Sequence, residues 1–212
     1  MYGLCFTSCL LLLIESQKPI LYIPKALLVT NMILTKHLQL MPCTLHHFEL
    51  FLQGSDVLAS QLDITISENW IEYPEVILVT YDKLRNDPTL LGWFFYMVIL
   101  KESKQLIGAG GFKGKPSADG TVEIAYEISP EHREKGYGTE MAQALINFAF
   151  GHSYVTNVIA HTEEEYNASV KILQKVGMSF VGAIRNKDNE ELWEWKITRE
   201  QFEKAPQGGA KG

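Results

Sequence analysis

The chain has 212 residues, of which 46% are hydrophobic, 21% charged and 11% aromatic, with a net charge of -6. These values exclude a disordered or fibrous protein and leave room for one well-packed domain with an extension; they disfavour nucleic acid as a partner, because a phosphate-binding surface needs excess positive charge. Three cysteines, Cys5, Cys9 and Cys43, lack metal-type spacing and read as thiols in a reducing cytoplasm, the expected location.

The apolar run at 10–14 is too short to span a bilayer, and Glu15 follows it where a signal peptide would carry small residues, so no membrane role is expected. Residues 1–31 are therefore set apart as an extension of unknown role, with Met32 a natural start. The stretch MILTKHLQLMPCT alternates apolar and polar residues and stops at Pro42, which suits a first strand. Between 44 and 64 the apolar residues recur at mixed helical spacings around Gly54, predicting two short helices. EYPEVILVTYDKLRNDP carries a third, ending before Pro88.

GWFFYMVIL, LIGAGGF and TVEIAYEI follow, separated by polar turns, and read as an antiparallel meander of three strands. The period then changes. GYGTEMAQALINFAF has one apolar face at spacings of three and four, VTNVIAHT is a strand, and ASVKILQKVGM is a helix closed by Gly177; SFVGAIR and LWEWKI are two last strands. Residues 32–200 form the expected domain, and 201–212 a disordered tail.

The turn between TVEIAYEI and the next helix is HREKGYG. A strand, a loop with Arg133, Lys135, Gly136 and Gly138, and a helix N-terminus together make an anion site, since uncapped amides and the helix dipole both favour negative charge. Glycine supplies positive φ and close approach. A bare strand-to-helix turn needs glycine too, and the residues alone leave both readings open.

REKGYG matches the [RQ]-x-x-G-x-[GA] pyrophosphate loop of the GNAT superfamily of N-acetyltransferases, and YEISPEHREKGYGTEMAQALINFAF resembles its Rim-type branch, which includes ribosomal-protein N-terminal acetyltransferases. LIGAGGF before it and AHTEEEYNASVKILQKVGM after it resemble the same branch in the same order. The resemblance implies an α/β (α+β) GNAT fold: a mixed, mostly antiparallel sheet of about seven strands, splayed between the fourth and fifth and flanked by helices. It implies acetyl-CoA as cosubstrate, with the amides of Arg133, Glu134, Lys135, Gly136, Tyr137, Gly138 and Thr139 around the pyrophosphate. The backbone of Glu127 and Ile128 would pair with the pantetheine arm in the splay.

Chemistry of this kind is direct attack of an amine on a thioester, without metal. Glu123 and Glu127 are the candidate bases, acting directly or through water, although each reads more simply as an ordinary strand-surface carboxylate. The branch pattern N-x-x-S places its serine on Ser169, which would bond the sulfur or cap its own helix, and its asparagine on Tyr166, with Asn167 one position late. Leu173 stands where many relatives carry a tyrosine acid. His161 reads as structural. Trp70 and Tyr73 are placed in an acceptor wall, Trp93 and Phe94 in the core, and Trp193 and Trp195 as one core and one surface residue. The expected partners are acetyl-CoA and a primary amine, either a protein N-terminus or a small molecule, acting on a monomer or homodimer. A non-catalytic acyl-CoA sensor is the alternative.

Overall fold

The computed structural model describes residues 31–72, 74–187 and 189–204. The expectations for residues 1–30, for Tyr73 and for the tail from 205 onward lie outside the described residues. In chain order the elements are β1 (Ile33–Leu34), β2 (Leu38–Pro42), α1 (Leu45–Gln53), α2 (Ser55–Leu62), β3 (Thr65–Ile66), α3 (Val76–Asn86), β4 (Phe95–Leu100), β5 (Gln105–Phe112) and β6 (Thr121–Ile128). They continue with α4 (Tyr137–Phe150), β7 (Asn157–Glu163), α5 (Ala168–Lys175), β8 (Ser179–Arg185), β9 (Glu191–Thr198) and α6 (Arg199–Lys204). The sheet runs β1-β2-β4-β5-β6-β7-β9-β8, with β3 pairing β5 off that path.

The described residues form nine strands where about seven were expected, for two local reasons. Thr35 turns the chain by taking the N–H of Leu38 on its hydroxyl oxygen (2.9 Å), so Ile33 folds back onto Leu40 and the expected single strand becomes a hairpin. β3 is a two-residue parallel addition beside Gln105 and Leu106. The meander β4-β5-β6 is antiparallel as expected. Residues 201–204, expected in the tail, are helical, because Thr198 and Gln201 cap the start of α6 reciprocally: Thr198 N–H donates to Gln201 Oε1 (2.8 Å) and Gln201 N–H to Thr198 Oγ1 (3.2 Å).

Helix ends follow from their residues. Thr44 Oγ1 accepts from His47 N–H while His47 Nδ1 accepts from Thr44 N–H, opening α1. Asn167 Oδ1 accepts from the N–H groups of Ser169 (3.0 Å) and Val170 (3.2 Å), opening α5. α5 ends in paired turn bonds, Met178 N–H to Leu173 O and Gly177 N–H to Gln174 O, around Gly177 at φ 84°.

The sheet has a core on each face. On one, α4 and α5 press Met141, Leu145, Ile146 and Leu173 onto Val98, Ile107 and Ile124. On the other, α1, α2 and α3 bury Phe48, Leu58 and Leu84 against Met97, Ile99 and Leu106. Trp93 and Trp195 belong to the first core. Trp193 packs against that core as well, so the expected division of Trp193 and Trp195 between core and surface is corrected: residues two apart on a strand share a face.

Consecutive strands along the path pair antiparallel, except β6 and β7. That pair is parallel and lasts three residues, Thr121↔Asn157, Val122↔Val158 and Glu123↔Ile159. Beyond Glu123 the two strands diverge. This is the expected splay.

Candidate functional site

β6 still pairs with β5 beyond Glu123, from Ile124 to Ile128. Its odd residues point their backbone groups at β5: Lys113 N–H donates to Glu123 O (2.9 Å) and Ser129 N–H to Ile107 O (2.8 Å). A Cβ added at Gly108 would meet Glu127 O at 2.3 Å, so that carbonyl too faces β5. Backbone direction alternates along a strand, so the groups of Tyr126 and Ile128 face the gap instead. The resemblance pairs the backbone of both Glu127 and Ile128 with the pantetheine arm; of the two, Ile128 turns its backbone to the gap, whereas the backbone of Glu127 belongs to the β5 ladder.

The loop after β6 forms a short 3-10 turn, Pro130–His132, and then reaches α4 through Glu134 at φ 62° and Gly136 at φ 87°. Gly136 is the N-cap and no side chain caps the helix. The first helical bond is Glu140 N–H to Gly136 O (3.0 Å), so the amides of Gly136, Tyr137, Gly138 and Thr139 have no partner within α4. Around Gly136 a Cβ would meet nothing within 4 Å, so the residue is required for its backbone angle and borders open space. At Gly138 a Cβ would stand 2.8 Å from Ile172 Cδ1, so this glycine lets α4 and α5 lie close together.

The loop's charged residues divide their work. Arg133 Nε donates to Ile128 O (2.9 Å), pinning the end of β6 and using up that carbonyl. Glu134 and Lys135 are exposed. Glu140, in the first turn of α4, accepts from His37 N–H (2.7 Å) and Thr35 Oγ1 (2.5 Å) and lies 2.7 Å from His37 Nδ1. Burial alone would raise its pKa, but those donors prevail and hold it below the usual carboxylate range. This clamp ties the β1–β2 turn to the loop's helix. Sequence reading missed it because its partners lie more than 100 positions apart.

On the sheet face that carries α1, α2 and α3, β6 presents Glu123, Ala125 and Glu127. Ala125 is exposed between the two carboxylates. Glu127 Oε2 accepts from Glu72 N–H (2.8 Å), and desolvation raises the pKa of its carboxyl, with the Glu72 charge adding to the rise and the Glu72 amide and Arg133 opposing it. Glu123 is engaged differently. Its Oε1 takes both Lys113 Nζ and His161 Nδ1, the latter at 2.8 Å. His161 Nε2 lies 3.4 Å from Glu194 Oε2, is buried, and makes no hydrogen bond. His161, expected to be structural, thus stands between two carboxylates at the end of the paired seam. A polar residue on the non-core face of each of three strands, Glu123, His161 and Glu194, was the signal available in the sequence.

Asn167 spends its Oδ1 on the cap of α5, and Ser169 occupies the first turn of that helix. Leu173 is in the core. Trp70 is buried, stacked on Phe51 (5.2 Å between ring centres) and edge-on to Phe95. It lines a cleft of about 510 Å³ with Phe51, Leu52, Ile71 and Leu78. Its segment runs on to Glu72 and so to Glu127. Among the described residues no helix is long and apolar enough to cross a membrane, and no three His, Cys, Asp or Glu side chains gather as a metal site.

Residues 37–179 match the family description of the acetyltransferase (GNAT) domain. An uncharacterized N-acetyltransferase, YjdG, of Bacillus subtilis (strain 168) is 35% identical over 86 residues, which cover 41% of this chain and 51% of that protein. The chain thus spans about half the length of the curated relatives it matches. Among solved structures, an acetyltransferase (GNAT family) from Bacillus anthracis is 20% identical with a TM-score of 0.56, covering 80% of this chain and 99% of its own. RimL, a ribosomal L7/L12 alpha-N-protein acetyltransferase in complex with coenzyme A, is 13% identical with a TM-score of 0.59, covering 79% of this chain and 97% of its own.

Proposed function

Because the chain belongs to the GNAT acetyltransferase domain family, we propose that it is an acetyl-CoA-dependent N-acetyltransferase that moves the acetyl group directly to a primary amine. The observation that carries this reading is the seam: β6 loses its partner after Glu123 and then leads into a helix whose first amides are uncapped. An extended amide arm completes the first, and a pyrophosphate satisfies the second. Ile128 offers a backbone donor to the arm, and Tyr126, nearer Glu123, one to the thioester oxygen. The open space at Gly136 admits the pyrophosphate, with Lys135 adding charge beside it.

Two carboxylates flank Ala125, and their surroundings assign them different work. Glu127, desolvated and biased toward holding a proton, serves as the base that takes the ammonium proton, directly or through water. Glu123 has one oxygen held by both Lys113 and His161. Ser169, in the first turn of α5, is the residue assigned to bond the departing sulfur. The acceptor approaches over Ala125 beside the segment of Trp70 and is either a protein N-terminus, the kind of acceptor named for RimL, or a small amine.

The test is calorimetric titration of acetyl-CoA into the protein and into Gly136→Glu, followed by turnover with peptides bearing free N-termini and with polyamines. The wild type should bind, and the variant should weaken by at least about a hundredfold, or about 2.7 kcal/mol, from blockage and like charge. A folded wild type that binds no acetyl-CoA would defeat the proposal, and binding without turnover of any amine would leave an acyl-CoA sensor.

A further inference from the structure

We infer that His161 and Glu123 form the closing rung of the β6–β7 seam and select the length of the acyl group, an inference that rests on the acetyltransferase reading. If the pairing of β6 and β7 continued in register past Glu123↔Ile159, Ala125 would stand opposite His161. The backbone does not pair there. The imidazole instead reaches back to Glu123, Nδ1 to Oε1 at 2.8 Å, and so replaces the missing backbone rung with a side-chain one. Lys113 from beyond β5 holds the same carboxylate oxygen, and Glu194, the cross-strand partner of His161 on β9, lies 3.4 Å from Nε2. The residue that follows β5 and the strands β6 and β7 are tied together at the point where the gap begins, with Glu194 of β9 beside them.

That point is where the acyl end arrives. An arm anchored by its pyrophosphate at the loop runs down β6 toward Glu123, and the five steps from Ile128 to Glu123 span about 17 Å at 3.3 Å per residue. The thioester therefore meets the closed end of the seam. The His161 side chain is 12% exposed, so an added methylene there meets packed atoms rather than water. Acetyl fits; a longer acyl group must break the rung or push the strands apart.

The experiment measures Kd and kcat/KM for acetyl-CoA and propionyl-CoA with the full chain and with His161→Ala, His161→Asn and Glu123→Ala. The propionyl-to-acetyl ratio should rise about tenfold in both alanine variants, the size of a methylene's discrimination in an enclosed pocket. In His161→Asn the amide nitrogen takes the place of Nδ1 and keeps the bond to Glu123, so the ratio should stay within about threefold of wild type. A rung that merely stabilised the fold would lower the melting temperature and affect both acyl-CoAs alike, leaving their ratio unmoved. Unchanged ratios in whichever alanine variants fold and bind acetyl-CoA would overturn the inference. If the wild type binds acetyl-CoA yet acetylates no amine, the transferase reading fails while the ratio of Kd values still reports on the rung; if it binds neither acyl-CoA, both fail.

Discussion

Glu123 and Glu127 occupy the same face of one strand, two residues either side of Ala125, and differ in what surrounds them. Glu123 shares one oxygen between Lys113 and His161, whereas Glu127 receives a single backbone donor in a desolvated position. Burial disfavours the charged carboxylate of Glu127 and raises its pKa. A base must be deprotonated to act, so activity should fall as pH drops through that raised value. The acid limb of kcat/KM should lie above the ordinary carboxylate range, and Glu127→Gln should lower kcat by about a hundredfold or more while acetyl-CoA binding persists. A variant with unchanged kcat would remove Glu127 from the chemistry. Both carboxylates were legible from the strand pattern, but their division of labour was not, because it depends on His161 arriving from 38 residues away.

At the scale of the element, α1 shows how a start signal becomes a pH response. Thr44 and His47 cap the helix reciprocally, which needs an unprotonated Nδ1 on His47 as acceptor. Burial, aided by the charge of His46, lowers the His47 pKa to about 4 against a hydrogen bond from the His47 ring to the Pro42 carbonyl that raises it. The sign follows. The folded state resists a proton that the unfolded chain accepts near pH 6.5, so this stability is present above that pH and is lost as pH falls toward 4, by about 3 kcal/mol at most. Thermal melts should show that loss in the wild type and a smaller one in His47→Gln, which keeps a favoured third-position residue of a capping box. Thr44→Ala should cost about 1 kcal/mol, or about 2–4 °C in melting temperature, at any pH. The helices themselves were readable because their apolar residues recur at helical spacing. The β1–β2 hairpin was not, since one hydroxyl, that of Thr35, decides whether a continuous alternating run stays straight.

At the scale of the whole molecule, two sections of sheet meet along three backbone pairs, and α4 lies across them. Amides on the two sides of β6 should therefore behave differently in hydrogen exchange. Those of Tyr126 and Ile128, facing the gap, should exchange fast in the free protein and slow once acetyl-CoA binds. Those of Ala125 and Glu127, in the β5 ladder, should be slow throughout. Equal protection on both sides without ligand would mean that the gap is closed in solution. The order of strands and the place of the splay were legible only with the family resemblance in hand, because alternation along TVEIAYEI shows that a strand exists and says nothing of where its neighbour leaves it.

That departure separates adhesion from address. The unpaired edge of β6 suits an extended amide, a chemistry shared by every unfolded peptide and every strand in the cell, and by itself would hold any of them weakly. On the proposed reading, the uncapped amides at Gly136 to Thr139 answer to a doubly anionic linkage that peptides lack. Selectivity thus resides at one end of the groove and grip along its length, so a competitor built from a plain diamide would need no phosphate to occupy the strand position, and would need one to be chosen.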